Sequence, residues 1–256
     1  MLINAKTLAG YKLDSLDGVI GQVKDFYFDD RYWTVRYLVA DTGTWLTERQ
    51  VLLSPYAVKA VITEMRLLVL NLTKKQIEQS PSLECDKPVS QQFEDIYYGY
   101  YGWPTYWGGT AMWGDSPLLI QDHQEWKKVN RQEKKWDPNL RSMHDASSHH
   151  IHALDGEIGH VEDFIIDQES WAIRYIIIDT TNWLPGKKVL VSPQWIERVS
   201  WMESAVFINL SREAIQGAPE YTEESRINRD YEINLHHHYD RPGYWPALSA
   251  HQKDSV

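Results

Sequence analysis

Aspartates at a repeated spacing are the first residues of this chain whose pattern could support chemistry. The motif Asp17-Gly18-x-x-Gly21-x-x-x-Asp25 returns as Asp155-Gly156-x-x-Gly159-x-x-x-Asp163. Paired carboxylates can bind a metal ion or exchange protons with a substrate. An aspartate beside glycine also caps turns by accepting backbone N–H bonds through its side chain. Of these two roles we expect the second, because a capping aspartate would simply be inherited by both copies.

Histidines form two groups that could bind a metal ion. They are His149, His150 and His152, and the run His236-His237-His238. Imidazoles placed this closely can bind zinc or nickel. The residues 138 positions before the second group are Tyr98-Gly99-Tyr100, so no metal function is shared between the two segments. We therefore predict no metal site and no cofactor, with His236 and His238 as the residues that a metal would use.

No other residue pattern predicts catalysis. Ser54 and Ser192 each precede a proline, which suits a turn, and neither lies in a Gly-x-Ser-x-Gly motif. The sequence has no phosphate-binding or dinucleotide-binding glycine pattern. Arg36 and Arg174 fall within predicted strands, where a salt bridge, a side chain extended over the sheet edge or a carboxylate-binding role are all open. We predict that the protein is not an enzyme.

The aspartate motifs belong to a longer repeat with a constant offset of 138 residues. Leu16–Phe26 matches Leu154–Phe164, and the match continues without a gap through Val51–Pro55 and Val189–Pro193. Copies of a folded unit normally gain or lose residues in surface loops, so an ungapped offset indicates two copies of one small domain. We predict a first domain at 1–107, a linker at 108–139 and a second domain at 140–256.

Each copy has the pattern of a small all-β unit. Alternating apolar residues at Trp33–Ala40 are typical of a strand with one buried face. Further candidate strands lie at Val23–Phe28, Val51–Leu53, Val58–Thr63 and Leu67–Leu72. Short, evenly spaced strands predict a small antiparallel barrel or sandwich. A short helix should follow, started by a capping box at Thr73–Gln76 and by Ser211 in the second copy.

An aromatic arm follows each barrel in the repeat. Its candidate interaction residues are Tyr101, Trp103, Tyr106 and Trp107 in the first copy and Tyr239, Tyr244 and Trp245 in the second. Since the arms show no steady period, we expect irregular segments that pack on a barrel, the alternative being a disordered tail. Tyrosine and tryptophan are favoured anchors of protein interfaces.

Composition excludes several classes of protein. The net charge of −10 argues against general nucleic-acid binding, and no apolar run is long enough to span a membrane. Cys85 is the single cysteine, and the first residues lack the plan of a signal peptide. We expect a cytoplasmic protein. A basic helix is expected at His123–Trp136, either as a solvated linker or as a docking site for an acidic partner.

The repeated Asp-Gly motif, with Trp-x-x-Arg-Tyr and Val-Leu-x-Ser-Pro after it, resembles the PRC-barrel family. That family takes its name from the cytoplasmic domain of a protein of the photosynthetic reaction centre, and it includes a domain of the ribosome-maturation factor. Asp179–Pro193 looks like the stand-alone bacterial branch, whereas the first copy has Thr47-Glu48-Arg49-Gln50 where that branch has Pro-Gly. The resemblance implies two tandem PRC-type barrels.

The resemblance implies an adaptor role. We expect a non-enzymatic interaction protein that binds a protein partner or forms a homo-oligomer. The alternative is an accessory protein that binds a small ligand or a metal, related to electron transfer or reaction-centre assembly. A photosynthetic role would rest on analogy of fold alone.

Overall fold

The computed structural model describes residues 1–46, 51–81, 91–103, 139–180, 187–222 and 224–245. These residues form a mainly β protein with fourteen strands and six α-helices. The strands are β1 (Leu2–Asn4), β2 (Lys12–Ser15), β3 (Gly18–Asp29), β4 (Thr34–Asp41), β5 (Val51–Leu53), β6 (Val58–Ile62), β7 (Leu67–Leu70), β8 (Leu140–Ser142), β9 (His150–Ala153), β10 (Gly156–Asp167), β11 (Ile173–Asp179), β12 (Lys188–Val191), β13 (Ile196–Ser200) and β14 (Ala205–Ile208). The helices are α1 (Ala5–Leu8), α2 (Lys74–Glu78), α3 (Gln91–Tyr101), α4 (Met143–Ala146), α5 (Arg212–Gln216) and α6 (Arg229–His238).

The strands form two curled sheets with the same strand order. The first runs β5-β4-β3-β2-β7-β6 and the second runs β12-β11-β10-β9-β14-β13. Most pairings are antiparallel, but β2 pairs with β7 and β9 pairs with β14 in parallel. The expected purely antiparallel sheets are therefore wrong at these two pairs, where the chain crosses over before it returns to the sheet.

Each sheet is completed by a strand from the other half of the chain. β1, near the N-terminus, pairs with β10 through Leu2↔Asp167 and Asn4↔Ile165. β8, at the start of the second half, pairs with β3 through Asp29↔Leu140 and Tyr27↔Ser142. This reciprocal strand exchange interlocks the two halves, because neither sheet is complete without a strand of the other. The sequence did not predict β1, β8 or the helices that follow them.

The two β-hairpins also meet directly between the sheets. The backbone N–H of Val35 donates to the carbonyl of Trp171 at 2.9 Å, and the N–H of Ile173 donates to the carbonyl of Trp33 at 2.7 Å. Both tryptophans have a positive φ, of 53° and 56°, a backbone conformation that is uncommon for a residue with a side chain. This backbone conformation lies where the two hairpins exchange hydrogen bonds.

A helix covers each sheet, and this corrects one expectation. Irregular arms are wrong for Gln91–Tyr101 and Arg229–His238, because these segments are the helices α3 and α6. Each helix packs on its own half: the Tyr37 hydroxyl donates to Glu94 of α3 at 2.8 Å. β4 is consequently buried over nearly its whole length rather than on one face.

Other local expectations are confirmed. The capping box at Thr73 and Gln76 starts α2, and the Ser211 hydroxyl accepts from the Ala214 N–H at the start of α5. Strands lie at all five of the segments expected in the first copy. The helix expected at His123–Trp136 lies outside the described residues, as do Thr47–Gln50 and the equivalent loop at 185–186.

Candidate functional site

The first aspartate of each motif caps a helix of its own half. The Asp17 carboxylate accepts the backbone N–H of Lys74 at 2.8 Å, and that of Asp155 accepts the N–H of Arg212 at 2.8 Å. These N–H groups lie in the first turns of α2 and α5, where a backbone N–H has no hydrogen-bond partner within its own helix. The hydrogen bond from Lys74 is the main cause that lowers the pKa of Asp17. The sequence predicted that the aspartate caps its adjacent turn, whereas the backbone N–H that Asp17 accepts lies 57 residues away in the sequence.

The second aspartate of each motif caps a helix of the other half. Asp25 accepts the His144 N–H at 3.1 Å and the Ser142 hydroxyl at 2.5 Å, at the start of α4. Asp163 accepts the Lys6 N–H of α1 through both oxygens, at 3.2 and 3.3 Å. Each of these short helices follows directly after an exchanged strand. The second aspartates therefore fasten the exchanged segments to the sheets that receive them.

Burial of these second aspartates raises their pKa values. Desolvation is the largest cause for both, and it outweighs the hydrogen bonds, raising the pKa of Asp163 to about 6. Each carboxylate also accepts the N–H of the residue that follows it, Phe26 or Phe164. The contacts of the four motif aspartates are thus structural ones.

The motif glycines are required by the backbone. A Cβ atom at Gly21 would lie 2.0 Å from the carbonyl oxygen of Asp41, and one at Gly159 would lie 1.9 Å from that of Asp179. Gly18 and Gly156 have φ values of 120° and 143°, which residues with side chains rarely adopt. The Asp-Gly motif therefore encodes a turn, a close strand contact and two helix caps.

The strand arginines form salt bridges within their own halves. Arg36 is fully buried and contacts Asp29 at 3.1 Å, and Arg174 contacts Asp167 at 3.2 Å. The guanidinium of Arg174 also lies 4.1 Å from the ring centre of Tyr244. Of the roles open from the sequence, the salt bridge is the one that the structure shows.

A buried polar cluster fixes each arm helix to its sheet. In the second half the Glu232 carboxylate accepts the hydroxyls of Tyr175 at 2.9 Å and Tyr244 at 2.7 Å. Arg229 forms an ion pair with the other oxygen of Glu232 at 3.1 Å. Burial and the adjacent carboxylate raise the pKa of Tyr175 well above its ordinary value. The carboxylate is fully occupied by these contacts, so the cluster acts as a packing device of the helix.

The two histidines named as metal candidates have structural partners. Nδ1 of His236 lies 2.9 Å from the Pro242 carbonyl, and its Nε2 lies 3.1 Å from the Tyr175 hydroxyl. Nε2 of His238 lies 2.7 Å from the Ala214 carbonyl, at the position where Tyr100 donates to Gln76 in the first half. Burial lowers the pKa of His236, which favours the neutral ring. These contacts favour helix packing over metal binding.

The aromatic interaction candidates lie at the helix ends. Tyr101 and Trp103 stack with ring centres 4.4 Å apart, and Tyr239 is buried with its ring 4.8 Å from Trp195. Tyr244 and Trp245 are partly exposed and pack against each other. Tyr106 and Trp107 lie outside the described residues. A contact with a partner stays a prediction for these residues.

Sequence reasoning missed two surface features. Large apolar side chains are exposed in the first half at Leu16, Val19, Ile96 and Tyr100. In the second sheet, ligand atoms of His160, Glu162 and Asp179 all lie within 4.8 Å of one another. The first feature depends on side-chain exposure and the second on strand register, and neither can be recognised from local sequence spacing.

A cavity of about 340 Å³ opens where the two halves meet. Tyr32 and Thr34 line it from the first half, and Arg174, Gln194 and Tyr244 line it from the second. Its wall thus combines aromatic rings with polar side chains, as ligand cavities do.

No protein-family model matches the chain, and a search of curated proteins finds no significant match. Among the described residues, no helix has the length and apolar character needed to cross a membrane.

Proposed function

We propose that the chain is a cytoplasmic, non-enzymatic adaptor made of two tandem PRC-type units, which binds a protein partner. The resemblance of its repeated motifs to the PRC-barrel family supports the family assignment. The capping contacts of the four motif aspartates support a structural use of the motif over a catalytic one. The observation that carries the proposal is an exposed apolar surface on the first half.

This surface, the first-half apolar face, consists of Leu16, Val19, Ile96 and Tyr100. They are 64%, 51%, 62% and 42% exposed. Ile96 and Tyr100 are one helical turn apart on the outer side of α3, and Leu16 and Val19 flank the Asp-Gly turn. Both groups border α2, since Asp17 accepts the N–H of Lys74 and the Tyr100 hydroxyl donates to the Gln76 carbonyl at 3.0 Å.

The second half shows that the apolar character is not required by the fold. The equivalent residues are Leu154, Glu157, Asn234 and His238. Only the leucine is the same in both halves. Leu154 is 65% exposed, as Leu16 is. Exposed apolar side chains grouped on one face mark interaction sites. We therefore assign the partner to the first half, as a protein with a complementary apolar surface.

The test replaces two residues of this face by their second-half equivalents, Val19→Glu and Ile96→Asn. Cross-linked capture with the wild type should return a protein that the double variant does not return. The control Ile233→Asn, which removes an exposed apolar residue of α6, should keep that protein. Circular dichroism should show that all three chains are folded.

Self-association is the other outcome of this experiment that supports the proposal. Light scattering would then show a wild-type oligomer that the double variant reduces to a monomer. A strictly monomeric wild type that captures the same proteins as the double variant would contradict the adaptor role.

The cavity between the halves favours a second candidate function. An accessory protein that binds a small ligand, related to electron transfer, would use a polar and aromatic site of this size. Native mass spectrometry of protein purified from its own source would then show a bound organic molecule. Release of that molecule by Tyr244→Ala would support the candidate, and a chain with no bound mass and no visible absorbance would exclude it.

A further inference from the structure

A row of side chains crosses the outer face of the second sheet. The strand register pairs His150 with His160, His160 with Asp179 and Asp179 with Lys188. Residues paired directly across neighbouring strands place their side chains on the same face. Glu162 lies two residues after His160 on β10 and, like His160, is only partly buried, whereas Val161 and Asp163 between and beyond them are buried. The register shifts between Val161 and Asp163, so Glu162 is the extra residue of a β-bulge, and one of its carboxylate oxygens lies within 4.8 Å of a ring nitrogen of His160.

The donor atoms of three of these residues converge. A nitrogen of His160 and carboxylate oxygens of Glu162 and Asp179 lie within 4.8 Å of one another, and all three side chains are reachable from solvent. Donors that share one zinc ion at about 2.1 Å lie roughly 3.4 Å apart. Closing this set therefore needs side-chain movements of about 1 Å. An imidazole with two carboxylates is a ligand set that suits zinc and related transition metals.

From this geometry we propose that His160, Glu162 and Asp179 form a binding site for a divalent transition metal, with zinc as the reference ion. The protein supplies three ligands, and water occupies the remaining coordination position. His150 is the next imidazole in the row and is held by Glu157 at 2.8 Å. The proposal does not depend on the adaptor role, because the first-half apolar face lies on the other half of the chain.

The first half provides an internal comparison on the same backbone row. Lys12 pairs with Gln22, and Gln22 pairs with Asp41, as the equivalent residues do in the second half. Lys24 stands where the second half has Glu162. The second half thus has histidine at the position of Lys12, histidine at that of Gln22 and glutamate at that of Lys24. Aspartate is common to both rows. Each replacement puts a good metal ligand where the first half has a poor one.

Two lysines modulate the site. Nζ of Lys6 lies 2.7 Å and Nζ of Lys188 lies 3.5 Å from Oε1 of Glu162. Hydrogen bonds of this kind orient a ligating carboxylate, as outer partners do in known metal sites. Their positive charges also oppose a cation, so the site is expected to bind more weakly than a closed structural zinc site. Removing the Lys188 charge should tighten binding.

Isothermal titration of chelator-treated, tag-free full-length chain with Zn²⁺ tests the proposal. We expect one ion per chain, and at least about a tenfold loss of affinity in His160→Gln/Glu162→Lys, which copies the first half. The control His144→Asn removes an exposed imidazole elsewhere and should bind as the wild type does. Lys188→Met should bind more tightly than the wild type.

Cobalt provides a second readout, because its visible absorption reports imidazole coordination and should disappear in the double variant. Circular dichroism of the variants separates loss of ligands from loss of fold. Equal zinc binding by the wild type and a folded double variant, or loss of binding in His144→Asn, would overturn the proposal. So would the absence of zinc or cobalt binding by the wild type at about 1 mM ion.

Discussion

Asp25→Ala removes the side chain that fastens the exchanged segment of the second half to the first sheet. Three hydrogen bonds are lost: those donated by the Phe26 N–H, the Ser142 hydroxyl and the His144 N–H. At about 1 kcal/mol net for each bond the loss is about 3 kcal/mol. Burial of the carboxylate costs desolvation energy and raises the pKa of Asp25. The substitution removes this cost, which offsets part of the lost hydrogen-bond energy. We expect the free energy of unfolding to fall by about 2 kcal/mol, as for a strong helix cap.

Urea unfolding followed by tryptophan fluorescence and by circular dichroism measures this change. Glu64→Ala, at an exposed position in a turn, is the control and should lie within about 0.5 kcal/mol of the wild type. A cycle with Ser142→Ala isolates the contact between the halves, and we expect a coupling energy of about 1 kcal/mol. Additive effects of Asp25→Ala and Ser142→Ala would refute a direct contact between these two side chains across the halves.

Three further predictions follow from the same contacts. Gly21→Ala should lower the free energy of unfolding by at least about 3 kcal/mol, because its Cβ would meet backbone at 2.0 Å, whereas Gly99→Ala, with open space in α3, should be neutral or stabilising in the same urea assay. Tyr175→Phe should cost about 1 to 3 kcal/mol by leaving a buried carboxylate oxygen with fewer donors; an unchanged melting temperature would contradict this. Burial raises the pKa of Asp25, so protonation stabilises the folded state as the pH falls toward the ordinary value of 3.8, and that gain is lost as the pH rises through the folded-state pKa. Urea titrations across this range should show the wild type gaining stability relative to Asp25→Asn at lower pH, and parallel curves would contradict the assignment.

Five strands of the first half, β3 to β7, could be predicted from local patterns. Alternation located β4, and the capping box located α2. These elements can be recognised because the residues that define them are close together in the sequence. The salt bridge of Arg36 with Asp29 is of the same kind, since both belong to one hairpin.

The arm helices could not be recognised because polar residues occupy their buried face. Glu94, Tyr97, Tyr98 and Tyr101 follow the spacing i, i+3, i+4, i+7, and all but the last are buried. In the second half that face holds Glu232 and His236, so an apolar periodicity search fails. The buried Glu232 carboxylate is stabilised by hydrogen bonds from two tyrosines and by an ion pair with an arginine. These partners are either distant in the sequence or polar, so a search for apolar periodicity does not detect them.

The strand exchange left no local signal. β1 and β8 have three residues each, too few for a period of two to be recognised. Their partners lie more than a hundred residues away, and the aspartates that hold them look like ordinary turn residues. The row that contains His160 was missed for a related reason: its members come from four strands, and only the register brings them together.

Reciprocal strand exchange joins the two halves into one body. Hydrogen–deuterium exchange of the full chain tests it most directly, in peptides that cover 1–8 and 139–146. Because β1 and β8 pair with the last residues of the long strands β10 and β3, their amides should be protected to nearly the same degree as those of β3 and β10. Rapid exchange of both segments, with β3 and β10 protected, would show that the two halves do not exchange strands.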